Sequence, residues 1–267
     1  MRRAEFVCDD LGLIKSHLDE IQYGVMSIPD TPLPYALPLS FCYLPPLPST
    51  KEYTTPTQAH STFHSAQNGA IGIHGAKAGR KFALLKHNPQ VSFSATKPYA
   101  YIGSEFLGGR MIPTQFFFSV MIVGQFRVVE DSASKREILS ALVRKYEPQS
   151  ENFSFSKKAF AGSERGVFVG FIEIKSMSVK AKFGQNLKQS EFESILSDLQ
   201  STHDNLCKNL SQISPHSLQS TQPAKSLQST QPLQAQQVLH SLQTLKQTIE
   251  MMKHFDSSLR GNLNLLD

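Results

Sequence analysis

Little in this sequence places it by shortage or excess. Its three cysteines, Cys8, Cys42 and Cys207, are odd in number and far apart, which argues against a disulfide framework and a paired-cysteine zinc site. No apolar run reaches the roughly 18 residues of a membrane-crossing helix. The basic start Met1-Arg2-Arg3 runs into Glu5, Asp9 and Asp10 without the apolar stretch of a signal peptide, so the expectation is a soluble cytoplasmic protein with no membrane partner. Lys and Arg outnumber Asp and Glu by only 27 to 22 across 267 residues, and so thin and scattered an excess selects no nucleic acid as a partner. Walker, Gly-x-Gly-x-x-Gly, Gly-x-Ser-x-Gly and His-Glu-x-x-His motifs are missing as well. The usual nucleotidase, dehydrogenase, hydrolase and zinc-protease readings therefore lack their residues.

What is present is a run of short β-rich segments. Leu11, Ile14, Leu18 and Ile21 recur at helical spacing behind Asp10, a residue suited to an N-cap, so an amphipathic helix opens the chain. Strands are expected over 23–28, 35–43, 70–74, 90–95, 115–130 and 167–179. The 115–130 segment carries Val120, Ile122, Gly124, Phe126 and Val128 on one face, and its length with an internal Gly suits a strand bending around a barrel. In the last strand the alternation through Phe168, Ile172 and Ile174 slips before Met177 and Val179, as at a bulge. Ser134 and Glu137 read as a capping box ahead of a helix through Tyr146. A polar, Pro-rich insert spans 44–67, and its His60 and His64 lack the companions of a metal site.

Beyond about residue 188 the composition shifts to Gln and Ser. Ser217-Leu218-Gln219-Ser220-Thr221-Gln222-Pro223 recurs as Ser226-Leu227-Gln228-Ser229-Thr230-Gln231-Pro232, a low-complexity linker at about 214–234. Helical spacing flanks it over 191–213 and 233–255. The expected organisation is one domain over 1–187 and a helical extension over 188–267.

The chemistry sits after the third strand. In Gly75-Ala76-Lys77-Ala78-Gly79-Arg80-Lys81, glycines precede a helix start and two adjacent cations follow, which is what an anionic oxygen needs from a binding turn. A solvated helix start has the same residues.

Three ordered segments decide between these. Pro34-Tyr35-Ala36-Leu37-Pro38-Leu39-Ser40-Phe41, then Ile73-His74 running into the turn with Leu84-Leu85 and Asn88-Pro89, then Ser119-Val120-Met121-Ile122-Val123-Gly124, together resemble the nitroimidazole-resistance branch of the pyridoxamine-phosphate-oxidase-like superfamily. The resemblance covers roughly 1–187. It implies a mainly β fold with helices, a six-stranded split barrel that forms a homodimer and binds flavin mononucleotide (FMN) at the subunit boundary. It also implies positions: Arg80 and Lys81 at the phosphate, His74 and Gly75 at the strand end lining the flavin, Pro38, Leu39 and Ser40 facing the ring, and Ser119 contacting the cofactor. His74 matches an active-site histidine. The activity implied is reduction of a small electrophile such as a nitro-aromatic compound. The insert over 44–67 is longer than the family's, and the superfamily's pyridoxal-binding residues are not recognisable, which argues against vitamin oxidation. The alternative is a flavin carrier without turnover, or a haem-handling split barrel with His74, His216, His240 or His254 as iron ligand.

Overall fold

The computed structural model describes residues 3–46, 68–104, 112–147, 149 and 167–211, and 231–263. Most of the 44–67 insert, His60, His64, His216 and most of the repeat fall outside these residues. A 3-10 turn at Ala4–Phe6 precedes α1 (Leu11–Glu20), β1 (Tyr23–Ile28), β2 (Tyr35–Ser40), β3 (Cys42–Leu44) and β4 (Ala70–Ala76). Then come α2 (Arg80–His87), β5 (Gln90–Ile102), β6 (Thr114–Val128), α3 (Ser132–Tyr146), β7 (Val167–Lys182), α4 (Gln189–Ser211) and α5 (Gln231–Leu263). Among the described residues no helix is long and apolar enough to cross a membrane.

The seven described strands form one antiparallel sheet in the order β2-β1-β5-β6-β7-β4-β3, one strand more than the six expected. The extra strand arises because the run over 35–43 breaks in two. Phe41 interrupts it: its backbone N–H and C=O leave the ladder and bond the Tyr146 hydroxyl instead, at 3.0 and 3.2 Å. The consequence is geometric. β2 and β3 are the two outermost strands, and in a flat sheet six spacings of about 4.8 Å would hold them about 29 Å apart. A single residue joins them, and two Cα–Cα steps reach only about 7 Å. The sheet must therefore curl until its edges face each other, which makes an unclosed, split-barrel fold.

Contacts group the chain into two units, Val7–Lys97 with Ser119–Lys180, and Met1–Phe6 with Pro98–Phe118 and Ala181–Asp267. In the first, α3 lies on β3 and β4 and buries Ile138, Leu139 and Leu142 against Cys42, Ala70, Val169 and Phe171. Its N-cap is Asp131, whose carboxylate accepts from the Ser134 N–H at 2.8 Å, so the expected Ser134–Glu137 box starts one turn late. Asp10 caps α1 as its position suggests, accepting from Leu13 N–H at 2.9 Å. On β6 the residues Val120, Ile122, Gly124 and Phe126 face inward and Met121 and Val123 outward. In β7, Ile174 and Val179 are both buried five residues apart, which is the expected slip of face.

In the second unit Tyr99, Phe116 and Phe183 meet edge to face, and Phe255 of α5 stacks on Phe183 with centroids 5.6 Å apart. Thr248 of α5 is fully buried and accepts from the Ala100 N–H at 3.1 Å. Helix α5 begins at Gln231, inside the expected linker, with Pro232 in its first turn, where a missing N–H costs nothing.

Candidate functional site

The junction of β4 and α2 assembles most of the expected residues. β4 pairs with β7 and sets His74 opposite Val169 and Gly75 opposite Phe168. Gly79 follows with φ of 92°, a left-handed geometry that admits Gly without strain and turns the chain into α2. It caps α2 without a side-chain hydrogen bond, so the first-turn amides have no capping acceptor. Phe82 stacks on Phe168 at 5.1 Å and fastens α2 to the start of β7.

Lys81 and Arg80 diverge from this start. The Lys81 chain lies back over Gly75 so closely that a Cβ there would stand 2.5 Å from Nζ. The half-buried ammonium sits 5.2 Å from the Phe168 ring centroid, and among the described residues no carboxylate pairs with it. Burial pushes its pKa below the usual lysine range. His74 is lowered too, first by burial and then by the Lys81 charge, both of which favour the neutral imidazole. Arg80 points the other way. Its Nη2 and Nε donate to Asp30 Oδ2 at 2.6 and 3.2 Å, and its guanidinium lies 4.7 Å from the centroid of Tyr35, the first residue of β2. The same bonds hold the Asp30 carboxyl below its usual range.

β2 supplies Pro38, Leu39 and Ser40, opposite Val25, Gly24 and Tyr23 of β1. Tyr146 holds the far end of this strand through Phe41 and through Gln22 O. Ser119 stands apart: it is half-buried on β6, with β1 and β5 between it and β2 in the sheet. The structure thus gathers His74, Gly75 and Lys81 into one cluster and ties β2 to it through Arg80, while Ser119 lies on β6, a strand adjacent to neither β2 nor β4 in the sheet. Sequence reasoning missed Asp30, Tyr35, Phe168 and Tyr146, all partners brought from distant segments. His240 and His254 are exposed on α5, and no group of three metal-ligating side chains exists among the described residues.

Among the described residues the start of α2 thus presents an ammonium with no carboxylate partner and, at Gly79, open space around the backbone, features that suit an anionic oxygen. The sheet that carries them is antiparallel, curled and unclosed, a split-barrel fold. The chain belongs to the family described as "Putative FMN-binding domain", whose pattern matches residues 2–176. Solved structures similar to it include a "putative 5-nitroimidazole antibiotic resistance protein" from Bacteroides thetaiotaomicron, 20% identical over 65% of this chain and 85% of that one, TM-score 0.45. The flavocytochrome Anf3 from Azotobacter vinelandii is 18% identical over 69% and 72%, TM-score 0.45. An FAD and haem binding protein from Mycobacterium smegmatis is 15% identical over 66% and 73%, TM-score 0.46. No curated protein matches the sequence.

Proposed function

We propose that this flavin-binding protein is an FMN-dependent reductase of the nitroimidazole-resistance type, acting on small electrophiles such as nitro-aromatic compounds. When bound, FMN supplies the redox chemistry, taking reducing equivalents from a nicotinamide cofactor or another donor and passing them to the acceptor. The observation that carries the reading is the Lys81 ammonium, half-buried over Gly75 with no carboxylate partner among the described residues. Lys81 and the first-turn amides of α2 hold the phosphate. Arg80 uses two of its five N–H groups on Asp30 and keeps the rest for a second phosphate oxygen. Gly75 and the β2 backbone at Pro38, Leu39 and Ser40 line the ring, and Ser119 adds a hydroxyl. His74, favoured in its neutral form beside Lys81, donates a ring N–H to the negative charge that develops on the substrate as it is reduced.

The protein works as a homodimer in this reading. Tyr23, Val25, Met121 and Val123 leave apolar surface exposed on the outer faces of β1 and β6, and a second copy of the chain covers it.

The absorbance spectrum of the purified full chain, with FMN titrated by fluorescence quenching, is the test. Flavin absorbance and quenching are expected, with His74→Ala lowering nitro-aromatic turnover more than FMN affinity. A haem spectrum, or no quenching with FMN, overturns the cofactor assignment; unchanged turnover in His74→Ala overturns the role of His74.

A further inference from the structure

The second unit contains a cavity of 370 Å³ that shares no residue with the flavin site. Its walls are apolar, with Ile102 at the end of β5, Phe116 near the start of β6, Leu187, and Ile195 from α4. Ile112, another lining residue, is 88% exposed. Among the described residues, three polar ones line the cavity: Lys182 at the end of β7, Thr114, and the exposed Asn186.

Lys182 decides what the cavity accepts. Its ammonium donates to the Thr114 hydroxyl and lies 5.9 Å from the Phe6 ring centroid, on a half-buried side chain. Among the described residues no carboxylate pairs with it, and the charge that acts on it, Arg3, is of the same sign. Arg3 has its own partner in Glu5 at 2.9 Å. Burial first and Arg3 second push the Lys182 pKa down, the response of an ammonium short of both water and counter-charge. An ammonium has three N–H groups, so donors remain after the bond to Thr114.

We propose that this cavity binds a small apolar monocarboxylate, with its carboxylate on Lys182 and Asn186 and its hydrocarbon body against Ile102, Phe116, Leu187 and Ile195. The volume lies near the low end of small-molecule sites, roughly 300–1,000 Å³, which suits a medium-chain or aryl acid and excludes a dinucleotide. One cation matches one negative charge. A phosphate dianion calls for more donors than Lys182, Thr114 and Asn186 offer, so the ligand class differs from that of the α2 site.

The test uses the full chain and isothermal titration with two probes of equal chain length, decanoate and decanol. Decanoate is expected to bind with one site per chain and more tightly than decanol. Lys182→Met should weaken decanoate by about tenfold or more and leave decanol within about twofold, since one charge-assisted contact is removed. Lys182→Arg should retain decanoate. Should Lys182→Met fail to fold, Asn186→Asp, at an exposed position, puts a like charge at the carboxylate and should weaken decanoate about tenfold as well. Lys81→Ala should leave decanoate binding unchanged. Equal affinity for acid and alcohol, indifference to both Lys182→Met and Asn186→Asp, or loss of decanoate in Lys81→Ala would each overturn the proposal; the last would put the acid in the flavin site.

Discussion

Arg80 and Asp30, 50 residues apart in sequence, meet through two guanidinium nitrogens on a single carboxylate oxygen, at 2.6 and 3.2 Å. The two cations that begin α2 are thereby made unequal. Lys81→Ala is expected to weaken FMN binding by about ten- to a hundredfold and leave riboflavin, which lacks the phosphate, nearly unchanged. Arg80→Ala should weaken FMN by about tenfold and also loosen the β1–β2 connection, lowering thermal stability, which Lys81→Ala should not do. Titration of both flavins against both variants, with melting curves, checks this. FMN affinity unaltered in both variants would place the phosphate elsewhere.

Lys145 yields a pH prediction. Its Nζ donates to Leu18 O at 2.8 Å and stands 3.4 Å from the Phe41 ring centroid, and burial lowers its pKa to about 8. An unfolded lysine titrates near 10.4, so between about pH 8 and that value the unfolded chain binds a proton that the folded chain does not. This group's contribution to stability therefore rises with pH across the window. Cys42, Tyr43 and Tyr146, all raised by burial, pull the other way, so the informative quantity is parent minus Lys145→Met. Urea midpoints at about pH 8 and about pH 10 should show the parent gaining on the variant. A constant difference would mean the ammonium stays protonated in the fold.

How much of this could be read in advance depended on range. Strand, turn and helix start are local patterns, so β4 and α2 form close to where the residues around His74, Gly75, Arg80 and Lys81 suggest, and the roles of those residues came from the resemblance. Phe41 is not marked by any local pattern: its alternation reads as one strand, and the break depends on a hydroxyl 105 residues away. The strand expected over 90–95 runs on to Ile102, through Pro98. Adjacent Tyr99 and Ala100 are both buried there, with Tyr99 against Phe183 and Ala100 bonded to Thr248. The Asp30 partner of Arg80 left no trace, since a single acidic residue in a turn is ordinary.

Those same contacts bear on truncation. A chain ending at Gln189 would lose Ile195, Leu199 and Met252, each nearly fully buried, as well as Thr248 and Phe255. At about 1.5–3 kcal/mol for each buried apolar side chain, the loss is comparable to the whole stability of a typical domain. The truncated chain is expected to aggregate or to unfold at a much lower urea concentration than the full chain. A truncation with the parental midpoint would show that residues 98–118 are held without α4 and α5.

Oligomeric state can be probed on the outer face of β6. Met121 and Val123 alternate with the buried Val120, Ile122 and Gly124, so a charge at either outward position should not disturb the core. The double variant Met121→Asp, Val123→Asp is expected to sediment as a monomer, while the parent sediments as a dimer. A parent that sediments as a monomer at all accessible concentrations removes the dimer from the reading.

The one-residue join at Phe41 has an effect beyond the candidate site. Strand edges with unpaired N–H and C=O groups invite pairing by other chains, and proteins blunt them with short strands or proline. Here one edge strand is the three-residue β3, and the other carries Pro38, which has no N–H to offer. The chain turns both edges toward each other across Phe41, leaving little ladder on which a neighbouring molecule could start a shared sheet. A substitution that relaxed this join would be felt first as a tendency to aggregate at high concentration, before any loss of flavin binding.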